Sequence, residues 1–365
     1  LRKLTIAAAM MAAATACHAQ SSVTLYGLID EAVRFQTGGN GNALSMSEGA
    51  INGNRWGLRG SEDLGGGLSA IFNLESGYNI ATGKSDQQQQ LFGRFAWVGL
   101  QSDRFGTLKL GRQYGAVYSF FAFTFDPIGG GNLPATEWSL FFTGSRFDDT
   151  VEYDNQFGPV ALKLQRSLGG QPGSNSSGST TAGSAIYAFN GGKVGVAGAE
   201  SKDAQGHKLV VGSVGTLYTY GPFGLYLYGL DARRDAGFAV AAANSGGALA
   251  NTGIINNLTT AAGPQTKARN DLNVHVGATW QPAADLVFTL SYSYDYAHNV
   301  TPGGNGTIQT VYGVADYLLS KRTDVYLEMD HTHLSGASVN DLNAPISFAG
   351  ARNNFGAGLS LRTRF

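Results

Sequence analysis

The chain has 365 residues, enough for two average domains or for one large all-β barrel. Charged residues are only 14%, glycine takes 52 positions and aromatics reach 11%; that mixture is too apolar for a disordered chain and lacks the bias of a helical one. The net charge of −1 and the lack of a basic run give no reason to expect nucleic acid as a partner, and no spacing points to a cofactor.

The first nineteen residues differ from the rest. Arg2 and Lys3 precede an apolar run, Leu4–Ala14, and Cys17-His18-Ala19 reads as a small-x-small cleavage site. The run is too short to cross a bilayer. We expect a secretory signal over 1–19, cleaved after Ala19, followed by one domain over 20–365. A lipoprotein signal cleaved before Cys17 is the alternative, but Ala14-Thr15-Ala16 lacks the usual leucine. Removing the signal takes away two basic residues and the only cysteine, leaving 23 basic and 26 acidic residues and no thiol.

From Ser22 onward, apolar and polar residues alternate with period two in long segments. Ser22–Phe35 opens the series, and Ala70, Phe72 and Leu74 share a face farther on. So do Leu286, Phe288, Leu290, Tyr292, Tyr294 and Tyr296, then Val325, Leu327 and Met329. The closing set is Phe355, Ala357, Leu359, Leu361, Thr363 and Phe365. Strands of soluble proteins average about 5–6 residues, whereas a tilted strand crossing a bilayer needs about 9–11.

Short connections at 61–66, 101–105, 155–159, 190–193, 220–223, 281–285 and 319–323 alternate with longer polar stretches. The longer ones fall at 36–50, 79–90, 113–144, 168–183, 201–207, 234–269, 297–307 and 335–351. This regularity predicts an all-β fold, a transmembrane antiparallel up-and-down β-barrel of sixteen strands whose last strand pairs with its first. A secreted repetitive β-protein would not require it. Sixteen strands enclose water rather than a packed core, so the expected activity is passive conduction of ions and small hydrophilic solutes.

Parity then assigns the charges. With Trp56 and Leu58 facing lipid, Arg55 and Arg59 point inward; with Phe95 and Trp97 facing lipid, so does Arg94. Asp30, Arg34 and Lys109 also have inward parity. The stretch GTLKLGRQYG (106–115) conflicts with this scheme, because its alternation places Arg112 on the face of Leu108 and Leu110. An arginine facing mid-bilayer lipid costs about 2–4 kcal/mol. Gly111 is therefore expected to mark a bulge that turns Arg112 inward.

Several blocks resemble the Gram-negative porin family, specifically the β-proteobacterial general diffusion porins. They are SSVTLYGLID (21–30), NRWGLRGSEDLGGG (54–67), RFAWVGL (94–100), LGRQYG (110–115), KRTDVY (321–326) and the closing RTRF (362–365). The resemblance covers essentially all of 20–365. It implies an integral outer-membrane homotrimer, surrounded by outer-membrane lipid and lipopolysaccharide, with Phe365 as a signal read by the barrel assembly machinery. It also implies a third extracellular loop, about 113–144, folded into the lumen. Four loop phenylalanines (Phe120, Phe121, Phe123, Phe125) would pack it on the wall. Opposite the loop the resemblance places Arg55, Arg94, Arg112 and Arg146 as a constriction ladder, facing the loop's two carboxylates, Asp126 and Glu137. Weak anion preference is the expectation if the arginines outweigh them.

Other features carry less. His331 and His333 share a strand face, but their parity follows Met329 outward, which favours interfacial packing over a metal site. Asp148-Asp149 reads as solvated charge at a strand start. No GxSxG or Walker pattern occurs, and no enzyme is expected. The alternatives are a substrate-selective channel on the same barrel, and a surface protein acting through its long loops, above all 234–269.

Overall fold

Alternation builds the wall of this protein. The computed structural model describes residues 22–240, 249–344 and 348–365; the signal expected over 1–19 and part of the loop 234–269 lie outside them. The first half of the wall comprises β1 (Ser22–Gln36), β2 (Ala43–Glu48), β3 (Arg55–Gly65), β4 (Leu68–Gly77), β5 (Phe95–Ser102) and β6 (Gly106–Tyr114). It continues through β7 (Arg146–Phe157), β8 (Val160–Ser167), β9 (Thr180–Phe189), β10 (Gly192–Lys202), β11 (Lys208–Tyr220) and β12 (Phe223–Arg234). After a small hairpin, β13 (Thr259–Thr260) and β14 (Gly263–Pro264), come β15 (Arg269–Ala283), β16 (Leu286–Thr301), β17 (Gly304–Leu318), β18 (Thr323–Gly336) and β19 (Asn353–Arg364).

All wall pairings are antiparallel between neighbours, and β1 pairs with β19 to close the ring. β2 and β3 occupy one position in that ring, pairing with the upper and lower parts of β1. The ring is therefore a closed barrel of sixteen staves, one of them interrupted at 49–54. Closure leaves no sheet edge to be satisfied in lipid. Phe365 completes it by exchanging two backbone hydrogen bonds with Gly27, and its ring lies over Gly27 on the outer face.

On β16, β18 and β19 the predicted faces hold. Leu290, Leu327, Leu359 and Leu361 are exposed on the outside, while Ser291, Ser293, Glu328 and Ser360 are buried inside. His331 also faces out, and His333 pairs through Nδ1 with Asn353.

Two loop expectations are corrected. Residues 297–307 form no long loop: β16 and β17 run up to a tight turn at Pro302-Gly303, with a bulge at 297–301. Asn299 takes a left-handed φ of 52° there and its amide accepts from Gly303, so polar residues that read as loop serve the turn. Likewise 36–50 contains β2, since Leu44 and Met46 continue the lipid-facing pattern.

The third loop lies within the lumen, as the phenylalanines suggested. It holds a helix, Ala116–Phe120, widened into a π turn over Phe121–Phe125, and a second helix, Pro134–Thr143. Proline opens the second helix and Gly144, at φ 78°, ends it. The π turn sends Phe121 and Phe125 to the wall, where Phe121 stacks on Tyr228 with centroids 5.0 Å apart. Glycines on β11 and β15 make the close approach possible. A Cβ at Gly215 would enter the Phe125 ring, and one at Gly277 would lie 2.7 Å from Pro127 Cγ.

Candidate functional site

Between the third loop and the β3–β7 wall lies a space, called the passage below, bordered by residues of both. β3 begins at Arg55, directly opposite Leu28 of β1, whose side chain is inward, so Arg55 points into the lumen as its parity predicted. Its Nε donates to the Gly53 carbonyl at 3.1 Å. Arg146, at the start of β7, pairs with Tyr114, the last residue of β6. Its Nη2 donates to the Tyr114 hydroxyl at 2.6 Å while the guanidinium carbon stands 4.3 Å from the Tyr114 ring centre. Arg94 donates to the same hydroxyl at 2.9 Å and to Glu75 Oε1 at 2.6 Å.

Tyr114 thus gathers the arginines around one phenol. Sequence reading missed it, although it follows Arg112 by two residues. Arg55 and Arg146 form no ion pair with a carboxylate among the described residues, in contrast to Arg94. They border one space together with Glu48, Gln87, Asn132, Tyr118 and Phe123.

Arg94 reaches the lumen by a route that parity did not foresee. Phe95 lies opposite Glu75 and Trp97 opposite Asn73, and both rings face inward. Phe95 meets the Tyr114 ring edge-on, and Lys109 Nζ stands over Trp97. Arg94 precedes the regular ladder, held by its backbone N–H to Glu75 O, so the strand's alternation does not govern it.

Arg112 turns away from lipid at an irregularity, but the extra residue sits on β7. Gly111 takes φ 128°, and the register shifts between Gly111–Gln113 and Phe147–Thr150. The Arg112 side chain then leaves the throat. It donates to Gly93 O at 2.7 Å, to Asp148 Oδ1 at 2.7 Å and to Asn251 O at 3.3 Å. Asn251 in turn donates to Asp148 Oδ2. Around it a second inward loop rests on the third: Ser145 N–H donates to Thr252 O, Ile255 N–H donates to Phe141 O, and Ile254 and Ile255 are buried. The apolar pair Ile254-Ile255 inside a polar loop was the available signal for this strap. Because Arg112 serves the strap, Arg112→Ser is expected to leave the reversal potential nearly unchanged and to increase current noise. Arg146→Ser is expected to move the reversal potential, and equal shifts for both variants would contradict the assignment.

Asp126 is not brought to the passage either. Its Oδ1 accepts from the N–H groups of Ile128 and Gly130, and its Oδ2 accepts from the Thr136 hydroxyl at 2.8 Å. It fixes the loop's turn, as a buried aspartate two residues before its hydrogen-bond donor commonly does. Glu137 does lie in the lumen, on the first turn of the second helix, half-buried. Burial first, then Glu48 and Asp330, pushes its carboxyl up from 4.5 to about 7, against the pull of Arg34. Below about pH 7 Glu137 is protonated, so acidification removes one negative charge from the side facing the arginines. Anion preference is therefore expected to rise as pH falls from 8 to 6, and Glu137→Gln to flatten that change. A rise of equal size in the variant would exclude Glu137 as its source.

The remaining predicted lining residues face inward but are engaged. Arg34 pairs with Glu328 at 2.8 Å and with Asp330. Asp30 accepts from the Tyr326 hydroxyl and the Asn52 N–H. Lys109 bridges Glu152 and Asp154, and Arg59 lies over the Tyr26 ring.

Comparison with known proteins agrees with the fold. A family model described as Gram-negative porin matches residues 6–337. An outer membrane porin protein of Bordetella pertussis is 42% identical over 171 residues, covering 42% of this chain and 43% of that protein. Outer membrane porin protein 32 of Delftia acidovorans is 39% identical over 115 residues, or 31% of this chain and 32% of its own length. The chain thus matches less than half the length of either relative. Among solved structures, an anion-selective porin from Comamonas acidovorans superposes with a TM-score of 0.74 at 20% identity, covering 95% of this chain and all of the other.

Proposed function

Since the chain belongs to the Gram-negative porin family, we propose that it is an outer-membrane general diffusion channel that passes ions and small hydrophilic solutes and prefers anions. One observation carries the preference: Arg55 and Arg146 border the passage without carboxylate partners, whereas Lys109, Arg34 and Arg112 are paired elsewhere. Unpaired guanidiniums in a narrow, low-dielectric throat raise the local anion concentration. The reading is of a conduit, and no residue is assigned a catalytic role. It is tested by reconstitution into planar bilayers. Ohmic single-channel steps that do not saturate with small solutes support it, and a folded protein that gives no steps would refute it.

The same reading includes a homotrimer. β5 has 8 residues and β6 has 9, against 16 in β16. At about 3.3 Å per residue and a tilt of about 45°, eight residues rise roughly 19 Å, short of the apolar band of about 25 Å. A wall this low needs cover, and two further copies of the chain would provide it. The expected result is a band of three-chain mass in detergent that falls to one-chain mass on boiling; one-chain mass throughout would count against it.

A further inference from the structure

Within the third loop, Phe120, Phe121 and Phe125 are sealed, but Phe123 remains 50% exposed. It stands edge-on to Tyr114 at 4.9 Å and to Tyr118 at 5.7 Å, and those two rings stack on each other at 5.3 Å. Arg146 covers the Tyr114 ring and keeps one further donor, Nε, buried without a hydrogen-bond partner. Arg55 and Arg94 border the same space. Burying an aromatic side chain is favourable, so a ring left half-uncovered beside Arg55 and Arg146, neither of which has a carboxylate partner among the described residues, offers a surface that a passing solute can cover. A carboxylate would engage the guanidiniums through two parallel hydrogen bonds. A planar ring attached to it would meet the aromatic edges in the offset or edge-on geometry that such rings prefer.

We infer that the throat contains a selective site for aromatic monocarboxylates. The inference rests on the anion-preferring reading above and adds to it a solute class. Benzoate is the probe, and cyclohexanecarboxylate, with the same charge and similar size but a puckered ring, is the control. In a planar bilayer carrying chloride current, benzoate is expected to reduce the current saturably, with half-effect at a concentration several-fold below that of cyclohexanecarboxylate. Phe123→Ala is expected to bring the two half-effect concentrations together, and Phe123→Leu, which keeps an apolar side chain if the alanine variant fails to fold, to narrow the gap. Equal action of the two carboxylates on the wild type would overturn the inference, as would a gap that persists in both variants. The wild-type reversal potential separates the two levels. Anion preference without a benzoate effect defeats the solute class alone, and no anion preference defeats the underlying reading.

Discussion

In a potassium chloride gradient, the double variant Arg55→Gln, Arg146→Gln is expected to lose its preference for chloride and to pass potassium at least as readily. These two side chains contribute most of the uncompensated positive charge around the space beside the third loop. Arg94 beside them is held by Glu75 at 2.6 Å, and Glu48 faces the same space. Once the pair is neutral, the remaining charges there nearly cancel or tilt negative. Charge-lined clefts change local ion concentrations by about tenfold or more, so the permeability ratio should fall by about that factor. Glutamine retains hydrogen-bonding ability toward Gly53 and Tyr114, which favours an intact throat. Each single variant should give an intermediate ratio. A double variant with wild-type reversal potential would mean that selectivity resides elsewhere in the lumen.

The second large effect concerns the seat of the constriction loop. Gly215→Leu is expected to raise mean single-channel conductance and to broaden its distribution. The Phe125 ring lies against Gly215, and Phe121 and Phe125 are fully buried beside it. A leucine side chain there must displace the ring, and overpacking of this kind costs about 1–3 kcal/mol. The barrel is held by its continuous ladder, so the loop should yield before the wall does. Outward-facing Val214→Leu, one residue away, should leave conductance as it is. Unchanged conductance in a folded Gly215→Leu protein would show that the loop is not held by this contact.

The wall was legible in the sequence because each strand has lipid on one side and water on the other, which leaves an unmixed period of two. For that reason Arg55, Arg59, Arg34, Asp30 and Lys109 could be placed inward from parity alone. The same rule failed at Phe95 and Trp97, since an internal loop gives aromatic side chains a place inside the barrel. Parity cannot distinguish a lipid face from a face that meets Tyr114 or Lys109. For Arg94 it gave the right side for the wrong reason, since that residue stands just outside the ladder and is not governed by its alternation. Arg112 was rightly taken off the lipid face, on the cost of an arginine there, but its destination depended on Asn251, more than a hundred residues away. Asp126 followed the resemblance into the throat, whereas its position before Pro127-Ile128-Gly129 already favoured a local turn. Glu48 and Tyr114 were missed because nothing local marks them; they reach the passage through the break at 49–54 and the end of β6.

The central claim is that unpaired arginines make this channel prefer anions. Its most direct test is the zero-current potential of the wild-type protein in a planar bilayer between concentrated and dilute potassium chloride at pH 8, where Glu137 is ionised and opposes the arginines most. The expected potential has the sign of chloride permeability exceeding that of potassium. A potential of zero, or of the opposite sign, would contradict it.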